Sequence, residues 1–382
     1  MRKILSLLLL VAMCCILMVS CADAIIGADL PGYLEKNPPK VRESVTLDFY
    51  IVTDEATTAA AITTVVREIN TYLNAQFKTT LDIHFITPDT YVSETMSAVS
   101  AEGDDRADIV YVAGKGMFDQ LYAADALVPL NTYFLTKEFG RLNSSDMISK
   151  ALIEAASVAE GEGGSIKYVV PNNRIVGSYD YIMINREMAH FLNFSTVGDG
   201  NKVSLMTSVD APEYLELVDA VSANEQKLID NGFDPADCIK LVNGASYLAR
   251  EEYVANGYVC NVASSPVVTA EEAHESSFAI IAQEGEKSAV EAHYTRCMEI
   301  IYALNTDEYL RNLVQYGVKN THYTLDDNNV VTLIETDDKY VMYLESTGNI
   351  FTAYYNTVDG ANEWTEVLAE AGKIQNKEAV SE

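Results

Sequence analysis

The 382-residue sequence predicts an α/β fold divided into two lobes, and three observations carry that expectation. From Val45 onward, short β-branched and aromatic runs alternate with segments of helical periodicity, the pattern of a mainly parallel sheet covered by helices on both faces. The chain beyond its N-terminal apolar segment, about 360 residues, exceeds what one hydrophobic core readily organises. A strand ending at Val170 and another starting at Tyr179 are separated by the polar triplet Asn172-Asn173-Arg174, which reads as a crossover between lobes.

The chain opens with Arg2 and Lys3, an apolar run from Ile4 to Val19, then Ser20 and Cys21. An apolar core of about sixteen residues falls short of the roughly twenty that cross a bilayer as a helix. Basic start, short apolar core and a small residue before a cysteine form a bacterial secretion signal, so residues 1–20 are expected to be removed and Cys21 to be lipidated. Leu17-Met18-Val19-Ser20-Cys21 resembles the bacterial lipobox, with Met18 where that motif usually carries Leu. Diacylglycerol plus an acyl chain such as palmitate would give stable attachment, which a single chain does not. Residues 21–44, with Pro31, Gly32, Pro38 and Pro39 and no periodicity, read as a tether.

Val45–Val52 is a strand, followed by Thr53-Asp54-Glu55 and a helix on which Ile62, Val65, Val66, Ile69, Leu73 and Phe77 share a face. Leu81–Ile86 alternates as a second strand and Asp108–Val112 is a third, ending at Ala113-Gly114-Lys115-Gly116. Helices are expected at 118–124 and 145–158, the latter leading through Gly161-Glu162-Gly163-Gly164 to the strand Ile166–Val170 and Pro171. Tyr179–Ile184 is a strand, and a helix begins near Asn185. Asp210 with Pro212 marks another helix start, and Gly232 its stop. Residues 234–276 are mixed. Ser277–Ile281 is a strand, and helices follow at 287–304 and 307–316. A strand-and-turn region at 323–334 has Asp326-Asp327-Asn328-Asn329 at its tip, and a last helix covers about 361–372.

The formal charge is −30, and it becomes −32 when Arg2 and Lys3 leave with the signal. Such a surface repels nucleic acid and anionic lipid. Outside the signal and Cys21, the cysteines are Cys238, Cys260 and Cys297; one bridge between Cys238 and Cys260 and three buried thiols are both compatible with their spacing. No Cys/His spacing suits a structural zinc, and Asp326–Asn329 lacks the length and closing glutamate of an EF-hand, so a hairpin turn is expected there and no metal. No nucleophile elbow, zinc-protease helix or phosphate loop is present, which argues against an enzyme and for no cofactor.

Taken in order behind a lipobox, these pieces resemble the extracellular solute-binding lipoproteins of bacterial ABC importers, the family 1 group often described as sugar-binding. The residues that carry the resemblance are Val45–Phe77, Asp108–Val112 with Leu127-Val128-Pro129-Leu130, Tyr168–Pro171 leading to Tyr179–Met188, Ser277–Ile280, Asn305–Glu308, and Leu313–Val318 with Thr321-His322-Tyr323. The resemblance implies a two-lobe, periplasmic-binding-protein-like fold of type II with a hinged central cleft. It also implies a monomer that hands a small, sugar-like solute to permease subunits while held to the membrane by its lipid. The lobes are expected at 45–171 plus 278–322 and at 172–277 plus 323–382. A cell-surface hydrolase and a ligand sensor for a membrane signalling partner are the alternatives.

Loops at the carboxyl ends of strands hold ligands in such sheets. The candidate ligand-binding residues are therefore Asp54 and Glu55, which could instead cap the next helix, Lys115 on its glycine turn, and Asn172, Asn173 and Arg174, three polar side chains in a row in the crossover. Tyr179 is the preferred candidate for a stacking ring, with ordinary strand packing as the alternative. The single tryptophan, Trp364, is expected to pack the last helix.

Overall fold

The structure, a computed structural model, describes residues 42–143, 147–161, 163–196, 201–357 and 363–382. The secretion signal, Cys21 and the tether lie outside the described residues. Among the described residues no helix is long and apolar enough to cross a membrane. The chain divides into two compact units. Of the described residues, the first takes those up to 148, 156–174 and 273–365, and the second takes those in 149–155, 175–272 and 366–382.

The first unit is built on a five-stranded sheet. Its strands are β1 (Val45–Val52), β2 (Thr79–Ile86), β3 (Ile109–Val112), β4 (Val169–Pro171) and β5 (Ser277–Ile280), in the order β2-β1-β3-β5-β4. β1 runs parallel to β2 and β3, while β5 runs antiparallel to both β3 and β4, so four strands point one way and β5 returns between them. Along β1 the alternation is explicit: Leu47, Phe49 and Ile51 are buried, each worth about 1.5–3 kcal/mol of transfer free energy. Asp48 and Tyr50 take the other face. Helix α1 (Ala59–Phe77) follows β1; the Thr58 hydroxyl caps it by accepting from Ala61 N. Helices α2 (Pro88–Val99) and α3 (Lys115–Ala123) follow β2 and β3, and α4 (Lys287–Thr306) and α5 (Glu308–Tyr316) follow β5.

The hairpin β6 (Tyr323–Leu325) and β7 (Val330–Leu333) confirms the turn reading of its tip, since Asp326 Oδ1 accepts from Asn328 N and Val330 N. The division corrects the expected boundaries at 323–365, which belong to the first unit. Tyr340 Oη donates to Val314 O, Gln315 Nε2 to Met342 O and Tyr316 Oη to Tyr354 O, so this segment is hung on α5 by side-chain bonds that leave no periodic trace in sequence. Residues 172–174 and 273–277 also go with the first unit. Trp364 packs edge-on against Phe351, 5.4 Å away, and the last helix spans Glu366–Glu378.

The second unit has a three-stranded antiparallel sheet, Ile239–Ala245, Tyr179–Asn185 and Tyr258–Ser264 in that order, where the sequence pattern had suggested parallel strands. Helix Lys150–Ala155 joins it beside the strand pair Val267–Val268 and Val380–Ser381. Tyr179, Tyr181 and Met183 bury one face of the central strand, and Ile182 and Ile184 the other. Cys238, Cys260 and Cys297 are free thiols. Cys238 precedes one edge strand and Cys260 lies on the other, so two strand spacings, about 10 Å, separate them, beyond the reach of a disulfide.

Candidate functional site

Because β1, β2, β3 and β4 run the same way, their carboxyl ends share one edge of the first unit's sheet, joined there by the amino end of β5. This edge gathers the loops after β1 and β3, the triplet after β4, and His274-Glu275-Ser276 before β5. It is where an open α/β sheet offers loop side chains and helix N-termini to a ligand.

The triplet divides its labour. Asn172 is fully buried; its N–H donates to Ser276 O, and its Nδ2 donates to Ser276 Oγ at 3.1 Å and Glu345 O at 3.0 Å. It ties the end of β4 to the start of β5 and to the loop 344–347, a role that packing alone accounts for. Asn173 accepts at its carbonyl from Ile350 N and is buried. Arg174 extends its guanidinium to Glu275, Nη2 to Oε2 at 2.7 Å; the arginine is buried while the Glu275 side chain is 63 % exposed.

Tyr111, at the end of β3, directs its hydroxyl at Glu275 O, 3.4 Å away. Burial, chiefly, pushes the phenol up to about 12, with Ser276, Glu345, Arg174 and Glu275 near enough to act on it, so it stays protonated and able to donate at physiological pH. The Glu275 carboxylate, the Arg174 guanidinium, the Tyr111 phenol and the Ser276 hydroxyl thus gather at this sheet edge.

The loop after β1 is laced to residues 339–343. Thr57 Oγ1 donates to Val341 O and accepts from Val341 N, and Thr58 N donates to Lys339 O. Asp54 does not cap α1, because Thr58 does; its Oδ1 closes a turn by accepting from Ala56 N, and its charge, after burial, helps raise the pKa of the Tyr343 phenol. Glu55 is exposed. At the β3 turn Gly114, at φ 93°, gives its N–H to His274 O and starts α3 with no side-chain cap, leaving first-turn N–H groups to solvent or ligand. Lys115 folds back along that helix, its Nζ 2.7 Å from both oxygens of Asp119.

Tyr179 is not at this edge, which corrects its expected role as a stacking ring. It lies in the second unit's core, 1 % exposed, stacked on Tyr181 at 5.0 Å, with its hydroxyl donating to Glu378. Burial and the carboxylate raise its pKa. Sequence reasoning missed Tyr111, Glu275, Ser276, Tyr343 and Glu345. A findable signal was the pair Glu275-Ser276 directly before a predicted strand; reading that strand as antiparallel would have placed them beside the triplet.

Two other polar groupings lie away from this edge. Asp48, Asp82 and His84, on paired strands, bring ligand-type atoms within 4.8 Å of one another, with His84 bonded to Asp48 and stacked on Tyr50. A cavity of about 720 Å³ opens at the amino end of the sheet, beside Asp48, Asp108 and His293. Asp108 there is spent internally, accepting from Asp48 N, Gln283 Nε2 and His293 Nε2.

No protein-family model matches the chain, and no curated protein matches it. Among solved structures, the N-glycan transport solute-binding protein of Streptococcus pneumoniae in complex with Man1GlcNAc is similar at 17 % identity, with a TM-score of 0.51 over 89 % of this chain and 84 % of that one. The same protein in complex with Man5GlcNAc is similar at 17 % identity and TM-score 0.50, over 88 % and 83 %. Its structure without a named ligand gives 15 % identity and TM-score 0.51, over 88 % and 83 %. The chain has the α/β fold of these solute-binding proteins.

Proposed function

We propose that this protein is an extracytoplasmic solute receptor that delivers a small carbohydrate, unaltered, to the permease subunits of an ABC importer. The observation that carries the reading is the fold match over 89 % of the chain to a solute-binding protein described for glycan transport. The converging hydrogen-bond groups on the carboxyl edge of the first unit support it: carboxylates accept from sugar hydroxyls, while Arg174, Tyr111 and the uncapped start of α3 donate to them. Arg174, Glu275, Tyr111, Glu345, Asp54 and Lys115 are the side chains assigned to the ligand.

Oligosaccharides containing N-acetylglucosamine or mannose are the first ligands to test. A true ligand at about 100 times its Kd should stabilise the protein by about 2.7 kcal/mol in a thermal-shift titration. Chromatography of the recovered sugar should show it intact; hydrolysis products in stoichiometric excess would replace the receptor reading with an enzymatic one.

The anchor belongs to the same proposal. Lipids on Cys21 would hold the receptor at the outer face of the membrane, its acidic body facing outward. A Cys21→Ser variant expressed in a bacterial host is expected to move from the membrane fraction to the medium or periplasm. Retention in the membrane fraction would mean that the apolar segment is an uncleaved anchor.

A further inference from the structure

A cavity of about 300 Å³ opens in the first unit among α1, α5 and the turn that leads into β6. Its residues are separate from those of the sheet's carboxyl edge. Glu68 of α1 lines it. On that helix Glu68 falls in the inward stripe with Ala61, Val65, Ile69, Tyr72 and Leu73, where periodicity calls for an apolar side chain. It is 3 % exposed, and among the described residues it has no hydrogen-bond or ion-pair partner.

Such a carboxylate is costly to keep charged unless a cation meets it. Among the described residues none forms an ion pair with it. Arg67 acts on it only from the neighbouring position, and burial, the larger effect, raises the Glu68 pKa. Lys319 also lines the cavity.

The remaining lining is rich in tyrosine: Tyr309, Tyr323 and Tyr354. These are held in place. Tyr309 packs on Tyr72 with centroids 4.9 Å apart, Tyr323 packs on Tyr316 at 5.7 Å, and the Tyr354 backbone is fixed by Asn312 Oδ1 and Tyr316 Oη. A carboxylate amid aromatic rings is the donor set that recognises an alkylammonium ion, whose charge needs an anion and whose carbons favour π-surfaces. A volume equal to about ten waters suits a molecule the size of choline or a short diamine.

We propose that this cavity binds an organic cation, an alkylammonium group whose nitrogen is met by Glu68 and whose carbon atoms lie against Tyr309, Tyr323 and Tyr354. The group can belong to a free amine or to a lysine side chain of a partner protein. The site does not depend on the carbohydrate reading.

Calorimetric titration of the purified chain with choline, putrescine and a lysine-containing peptide tests it, with 3,3-dimethylbutanol as the uncharged match for choline. At least one cation is expected to saturate, with the alcohol about tenfold weaker or more. Glu68→Gln should weaken the cation by a similar factor and leave any sugar-induced thermal shift unchanged. Binding of the peptide alone would assign the site to a partner's lysine, and binding of the free amines to a small molecule. In case Glu68→Gln does not fold, cation-induced NMR shifts on the wild-type protein should map to the three tyrosines and Glu68. No saturation by any of these up to about 10 mM, equal binding of the alcohol, undiminished binding by a folded Glu68→Gln, or shifts confined to other regions would overturn the proposal.

Discussion

Replacing Gly348 with alanine is expected to cost about 3 kcal/mol or more of stability, measured as a fall in the urea midpoint at unchanged m-value. Gly348 sits at φ 122° and ψ −157°, a region essentially closed to residues with a Cβ. A Cβ built there would stand 2.2 Å from Leu304 O and 3.1 Å from Arg311 Cδ, an overlap with the backbone of α4 that no rotamer relieves. The close approach exists because the loop 344–349 wraps a buried arginine. Arg311 has no exposed surface; its Nε donates to Asn349 O, its Nη2 to Leu344 O and its Nη1 to Gln315 Oε1, all uncharged acceptors. Burial lowers its pKa to about 10, which still leaves it charged at neutral pH. The same loop presents Glu345 O to Asn172 and Ser276, so displacing it removes the floor beneath the proposed binding edge. Gly348→Ala should therefore lose ligand-induced stabilisation as well. An unchanged midpoint would show that the loop can be accommodated away from α4.

The scaffold of the first unit was legible because its strands and helices are periodic. β1, β2 and β3 show the spacing that burial demands, and α1 carries its stripe from Ala61 to Gln76. The triplet at 172–174 stood out in the sequence as three polar side chains directly after an apolar strand with little structural reason to be there; in the structure Asn172 and Arg174 both meet protein partners. Other features were hidden by tertiary pairing. That β5 is antiparallel is decided by its neighbours, and only that direction brings Glu275 to Arg174. The segment 339–356 has little regular structure of its own and is positioned by Arg311, Gln315 and Thr57, each 27 residues or more away in sequence. Tyr179 misled because alternation says which residues share a face, here with Tyr181, but not whether that face meets core or solvent.

The contrast between the first and third members of the triplet separates scaffold from recognition. Arg174→Ala is expected to weaken sugar binding about ten- to a hundredfold, the loss of one or more hydrogen bonds from a charged donor, while the thermal midpoint without ligand moves little. Its partner Glu275 is mostly exposed and regains water when the guanidinium is removed, so the ion pair itself contributes at most about 1 kcal/mol. Asn172→Ala should do the reverse. It removes two hydrogen bonds made by a fully buried side chain, to Ser276 Oγ and Glu345 O, which stay bonded to each other, at about 1–3 kcal/mol of stability, and any loss of affinity should follow that destabilisation. Glu275→Gln tests the pair from its other side: a neutral amide still meets a sugar hydroxyl but no longer fixes the guanidinium, so affinity should fall by less than in Arg174→Ala. If Arg174→Ala and Glu275→Gln both bind sugar as the wild type does, recognition lies elsewhere, and the ion pair at this edge is only a brace between β4 and β5.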